Sequence, residues 1–137
     1  MIDRNDLIPS QIMRHFGQIG LDPIILIDPR LIEFYRRLLR RYPDVYVNVD
    51  RGKRLFEGCG FRTGPVGAEF SQHRYGRALD LHVREVLLWD VYQEIKNNRG
   101  SWPEISTIED IRDTPGWIHV DCRWNNGKFQ IIRGKKG

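Results

Sequence analysis

The sequence predicts an α+β fold, with helices packed on a small antiparallel sheet that carries a metal site. Three observations lead there. Apolar residues recur at helical spacing after Asp28-Pro29 and again after Glu85, short alternating segments gather beyond residue 78, and Asn126-Gly127 supplies a hairpin turn between the last two of them. With 137 residues, 40% of them hydrophobic and 11% aromatic, the chain is expected to form one domain over 1–137. A chain of that length buries roughly two thirds of its unfolded surface without disulfide staples.

Residues 9–19 read as a short first helix stopped at Gly20. Asp28 is a helix N-cap and Pro29 suits the first helical position, where a missing N–H costs nothing. Leu31, Ile32, Tyr35, Leu38, Leu39 and Tyr42 then share one face until Pro43 stops the run, while Arg36, Arg37, Arg40 and Arg41 decorate a solvated face. Val45 to Val49 is a predicted strand, and residues 50–70, rich in glycine and charge, are a predicted loop that builds the substrate cleft. Residues 78–83 alternate as a strand, 85–98 form a second long helix with Val86, Leu87, Val91 and Ile95 inward, and strands follow at 105–109, 117–123 and 129–132. Together the last strands read as an antiparallel meander, and Lys135-Lys136-Gly137 as a frayed tail.

Ser71-Gln72-His73-Arg74-Tyr75-Gly76-Arg77-Ala78-Leu79-Asp80 and, downstream, Trp117-Ile118-His119-Val120-Asp121 carry the chemistry. They supply two imidazoles and a carboxylate, the ligand set that catalytic zinc uses with water in the fourth position; structural zinc usually closes four ligands in tight pairs. Leu79, Leu81 and Val83 point to one side of their strand and Asp80 and His82 to the other, and Ile118 and Val120 likewise oppose His119. If both apolar faces meet one core, Asp80 and His119 converge, and His73 joins them from the preceding loop, where Gly76 permits the turn. His82 is a reserve ligand on Asp80's face, and His15 reads as a surface residue. Trp89, Trp102 and Trp124 read as core or rim, whereas Trp117 shares His119's face and would wall the cleft.

Ser71, His73, Gly76, Ala78 and Asp80, followed by the Trp-x-His strand, resemble the zinc D-Ala-D-Ala carboxypeptidases and the related L-alanyl-D-glutamate endopeptidases, many of them phage endolysins. Those enzymes share a fold with lysostaphin and hedgehog domains. An upstream Gly60-Phe61-Arg62-Thr63 matches a further segment of the family, so the likeness spans somewhat under half the chain. The resemblance implies that His73, Asp80 and His119 hold zinc and that Arg62 binds a substrate carboxylate or carbonyl. One part of the pattern differs: many members carry an acid three residues before the second histidine, and here that residue is Gly116. Glu109, at the end of the preceding strand as in hedgehog-type members, is the favoured general base, with Asp113 second. Ser71 and Trp117 are candidates to line the substrate subsite, and Ser71 and Asp121 could also orient a ligand histidine or fix the loop.

The implied activity is hydrolysis of peptidoglycan stem peptides, by a D,D-carboxypeptidase or an endopeptidase. A noncatalytic, metal-containing binding module is the alternative. The formal charge of +4 favours an anionic polymer such as cell wall, and no nucleic-acid-binding motif accompanies it, so no nucleic-acid partner is expected. Cys59 and Cys122 read as free thiols. Without a signal-like segment or an apolar run of ~20 residues, the chain is expected to be made in the cytosol, to act as a monomer, and to meet cell wall after lysis or release.

Overall fold

In a computed structural model of the chain, residues 2–50, 53–54, 59–61 and 71–134 are described. The first helix, α1 (Ser10–Gln18), ends where Gly20 turns left-handed at φ +72°. α2 (Pro29–Arg41) begins as its sequence dictates: the Asp28 carboxylate accepts the Arg30 backbone N–H at 2.9 Å, and Pro29 fills the first turn. Its Leu31, Phe34, Tyr35 and Leu38 are buried, a stripe at helical spacing. α3 (Leu88–Asn97) buries Val91, Tyr92 and Ile95. These two helices cover the apolar side of a sheet built from β3 (Ala78–Leu81), β4 (Thr107–Glu109), β5 (Ile118–Asp121) and β6 (Gln130–Ile132). A short hairpin, β1 (Val49–Asp50) with β2 (Lys53–Arg54), stands apart from it. Leu79, Leu81, Ile108, Ile118 and Val120 supply the sheet's share of the core. Each such side chain is worth about 1.5–3 kcal/mol of burial, so truncating the fully buried Leu38 to Ala is a core-breaking change of about 2–5 kcal/mol.

The sheet is mixed, which corrects the expected antiparallel meander. Its order is β3-β5-β4-β6, with β3 and β4 antiparallel to β5 but β6 parallel to β4. The predicted turn does form, with positive φ at Asn126 (55°) and Gly127 (71°). Both edges of β5, however, are already paired. A chain reversed by that turn runs antiparallel to β5, and therefore parallel to β4, whose outer edge is the place left for it. Ser106 ties this corner: its hydroxyl donates to the Arg123 carbonyl at 2.6 Å and its own carbonyl accepts the Gln130 N–H at 2.9 Å.

Two further expectations change. Over residues 45–49 the in-and-out alternation breaks at Asn48, which is buried beside the buried Val45 and Val47; the segment meets the sheet at a Tyr46–His82 bridge, and only Val49 enters β1. Asn48 in that segment bonds elsewhere, its N–H to the Asp6 carbonyl and its side-chain oxygen to the Cys59 N–H. α3 starts at Leu88 rather than residue 85, after a bend lacking any side-chain cap, so Leu87 is 69% exposed instead of inward. Of the tryptophans, Trp102 is core while Trp89 and Trp124 are exposed. Cys59 and Cys122 are free, and no helix among the described residues is long and apolar enough to cross a membrane.

Candidate metal centre

The site begins as a row of side chains across the sheet. Asp80 in β3 lies directly opposite His119 in β5, so their side chains rise from the same face at the spacing of a cross-strand pair. On the other side of β5, Ile108 pairs with Val120; one residue further along that register, Glu109 falls beside His119. His73 reaches the row from a single 3-10 turn, Gln72–Tyr75. Ser71 opens the turn by accepting the His73 backbone N–H on its hydroxyl at 3.3 Å. Gly76 closes it at φ +66°, pressed so tightly on the Leu26 carbonyl that no Cβ fits, while its own carbonyl accepts the Asp28 N–H at 2.9 Å. The histidine turn is thereby fastened to the start of α2.

Three ligand atoms converge. His73 Nε2 is 3.2 Å and His119 Nδ1 is 3.0 Å from the same oxygen, Asp80 Oδ1. A ligand atom of each residue lies within 4.8 Å of the other two, a spacing at which one metal ion can be held. The far side of each ring is also committed. His73 Nδ1 is 2.9 Å from the Gly60 carbonyl oxygen, which can only accept, so Nδ1 carries the hydrogen. His119 Nε2 is 2.9 Å from Asp121 Oδ2 and donates to that carboxylate. In the neutral tautomers these bonds leave His73 Nε2 and His119 Nδ1 with lone pairs aimed at a carboxylate oxygen. Three electron-rich atoms facing each other in a largely buried site require a cation between them, whether protons or a metal. Outer partners of this kind, one backbone carbonyl and one carboxylate, are the orienting groups that metal-ligating histidines use.

Asp121 is fully buried and carries the second half of that support. It accepts from His119, from the Arg123 backbone N–H at 3.2 Å, and from the Arg123 guanidinium at 2.8 and 2.5 Å. Burial disfavours its charge, but the bonds from His119 and Arg123 outweigh that and hold its pKa below the usual carboxylate range. Asp80 behaves alike: burial raises its pKa, and its bonds to His119 and His73 more than reverse the effect. Burial lowers the pKa of His119, yet its Asp121 and Asp80 partners push it up to about 9. Free of metal, the site therefore stores a proton on His119 Nδ1.

The two candidate bases differ sharply. Burial raises the pKa of Glu109, and the nearby Asp80 and Asp113 charges add to the rise against the pull of His119. Asp113 is pulled the other way by bonds from Arg133 at 2.7 and 3.1 Å and from the Gly134 N–H at 2.9 Å. Gly134 packs between the two acids, where a Cβ would strike both Glu109 Oε1 and the Asp113 side chain. His82 stands outside the ligand group; its ring stacks on Tyr46, and its Nε2 is 3.4 Å from Cys59 Sγ. Trp117, 37% exposed, precedes β5 at the same parity as His119, and His15 is exposed on α1. Arg62, with most of the 50–70 segment, lies outside the described residues.

Sequence reasoning did not assign roles to the Gly60 carbonyl, Arg123 or Gly134. For Arg123 a signal existed, since Asp-x-Arg at a strand end places a cation over its own strand's carboxylate. Comparison of the chain with known protein families, with curated proteins and with solved structures finds no match.

Proposed function

We propose that the chain is a zinc-dependent peptidase that hydrolyses peptide bonds of peptidoglycan stem peptides, as a D,D-carboxypeptidase or an endopeptidase of endolysin type. The observation that carries this reading is the convergence of His73 Nε2, Asp80 Oδ1 and His119 Nδ1 with Glu109 one strand away. The donor set fits zinc: two imidazole nitrogens and one carboxylate, both rings already fixed from behind. A bound zinc ion would supply Lewis acidity at a carbonyl oxygen and lower the pKa of a coordinated water toward ~7. The stem-peptide substrate follows from the motif likeness around His73 and Asp80.

Glu109 is the proton carrier in this reading. No hydrogen bond to another described residue consumes its carboxylate, and its raised pKa brings it closer to neutrality than an ordinary glutamate. It would take a proton, at a carboxylate oxygen, from the water that adds to the peptide carbonyl carbon, and give it to the amine nitrogen as the C–N bond breaks. Asp113, neutralised by Arg133, is better suited to holding the loop that leads to β5. Trp117 would form a wall of the cleft, Ser71 would hold the His73 turn at its edge, and Arg62 would meet the substrate's carboxylate.

Mass spectrometry of muropeptides released from purified cell walls tests the proposal. Zinc-dependent release, abolished in His73→Ala and in Glu109→Gln, is the expected result. Walls left intact by a protein that binds one equivalent of zinc would instead favour a noncatalytic binding module, the reading that Gly116 in place of an acid supports.

A further inference from the structure

A cavity of about 530 Å³ lies away from the three ligands, at the end of β5 where Cys122 and Arg123 leave the sheet. Its walls carry five cationic side chains, Arg30, Arg77, Arg99, Arg123 and Lys128, against one carboxylate, Glu104. Some of that charge is matched locally. Arg30 is paired with Asp28, Arg123 with Asp121, and Glu104 is held by Arg37 from outside the cavity. Arg77, Arg99 and Lys128 have no carboxylate partner among the described residues. Arg77 lies 6.0 Å over the Tyr75 ring. Arg99 lies 3.8 Å over Phe129, gives three of its N–H groups to the carbonyls of Ile95, Trp102 and Ile105, and forms no ion pair, although it feels the charge of Glu104, which Arg37 already pairs.

The rim is equally fixed. Asn125 and Lys128 close the turn on each other, the Lys128 N–H donating to the Asn125 carbonyl and the Asn125 side chain to the Lys128 carbonyl, both at 2.9 Å. This presents Trp124, 82% exposed and the most exposed large apolar side chain described, beside the cationic wall. A flat indole at the mouth of a basic cavity of small-molecule size is suited to a ligand with an anionic end and a ring. Three cations without an ion-pair partner among the described residues exceed what a single carboxylate needs. A phosphate, with up to two charges and three acceptor oxygens, matches them better.

We propose that this cavity binds a phosphate-bearing ring compound, its phosphate among Arg77, Arg99 and Lys128 and its ring on Trp124. A nucleoside monophosphate and an amino-sugar phosphate share that chemistry. The site is independent of the peptidase reading and would stand if that reading failed.

Isothermal titration of the full zinc-loaded chain with three probes, inorganic phosphate, adenosine monophosphate and N-acetylglucosamine 1-phosphate, tests the assignment. At least one ring phosphate should bind about tenfold or more tightly than inorganic phosphate, and whichever binds tighter identifies the source. Arg77→Gln and Lys128→Gln should each weaken that binding about tenfold, the usual cost of one charge-assisted hydrogen bond. Both side chains are exposed, so these variants keep the fold, and they leave the metal ligands untouched. Trp124→Ala should erase the advantage of the ring compounds while inorganic phosphate binds as before. Absence of saturable binding by all three probes, or binding unchanged in the Arg77→Gln/Lys128→Gln double variant, overturns the proposal.

Discussion

Raising the pH above 7 should strengthen zinc binding until His119 has lost its stored proton. Metal and proton compete for one lone pair, on Nδ1, because Nε2 is committed to Asp121. With the ring's pKa up to about 9, only about 1% of His119 is neutral at pH 7, so zinc affinity there should lie about 100-fold, or about 3 kcal/mol, below its plateau above pH 9. Asp80 and Asp121 are held below the usual carboxylate range and stay ionised throughout this window, so they add no slope. The expected signature is that His119 gives up about one proton per zinc bound at pH 7 and close to none at pH 10, counted apart from the proton that a zinc-bound water loses on its own titration. Titration calorimetry in buffers of different ionisation enthalpy counts the protons, and competition with a chelator of known pH dependence gives the affinities. Asp121→Asn should reduce the proton release at pH 7, since the group that raises the pKa has lost its charge. Affinity that stays flat from pH 7 to 9, with no proton released, would refute the tautomer and charge assignment at His119.

Glu109→Gln should lower peptide hydrolysis by roughly 10²- to 10⁴-fold while one zinc still binds, whereas Asp113→Asn should leave turnover near that of the parent; kinetics with a stem-peptide substrate separates them. Gly134→Ala places a methyl group against Glu109 Oε1 and Asp113, so turnover should fall without loss of zinc stoichiometry, at a stability cost of about 1–3 kcal/mol seen in urea unfolding. Gly76→Ala forces a side chain into a left-handed backbone position beside the Leu26 carbonyl, which should cost about 1–3 kcal/mol in strain alone and weaken zinc binding through His73. In the metal-free protein His119 has a folded pKa above its unfolded value of 6.5. Its contribution to stability should be complete below pH 6.5 and lost as pH rises through about 9, so urea midpoints should fall between pH 6 and pH 9.5.

Much of the candidate site was legible because its parts follow local rules. Period-two alternation placed Asp80 and His119 on the polar sides of their strands, and a direct cross-strand pairing then brought them together. The Asp28-Pro29 start of α2 was equally plain, since a cap depends on residues within one turn. What stayed hidden depends on distant partners. Alternation in 129–132 announces a strand but not its neighbour, and β6 joined β4 only because β5 was already paired on both edges. The Gly60 carbonyl behind His73 and Gly134 beside Glu109 come from segments 13 and about 25 residues away, where no spacing rule reaches. Residue 85 looked like a helix start by periodicity alone, yet with no capping side chain the helix began three residues later.

The ligands are not held equally, and this bears on how the site works. Asp80 and His119 sit opposite each other in the middle of a sheet, where hydrogen bonds on both sides of β5 resist any change of register. Glu109 belongs to the same frame, and Gly134 closes over it from the segment just past β6. His73 alone depends on a turn, and that turn is anchored by three separate devices: the Ser71 cap, the Gly76–Asp28 bond and the Gly60 carbonyl behind its ring. His73 is buried, so its ring nitrogens need partners in any case, and the Gly60 carbonyl and Asp80 supply them. The same anchoring suits a ligand that must meet a cation within a few tenths of an ångström of a fixed carboxylate. The anchoring of His73 beside Asp80 and His119 is therefore what a possible metal-holding group requires of its one ligand outside the sheet.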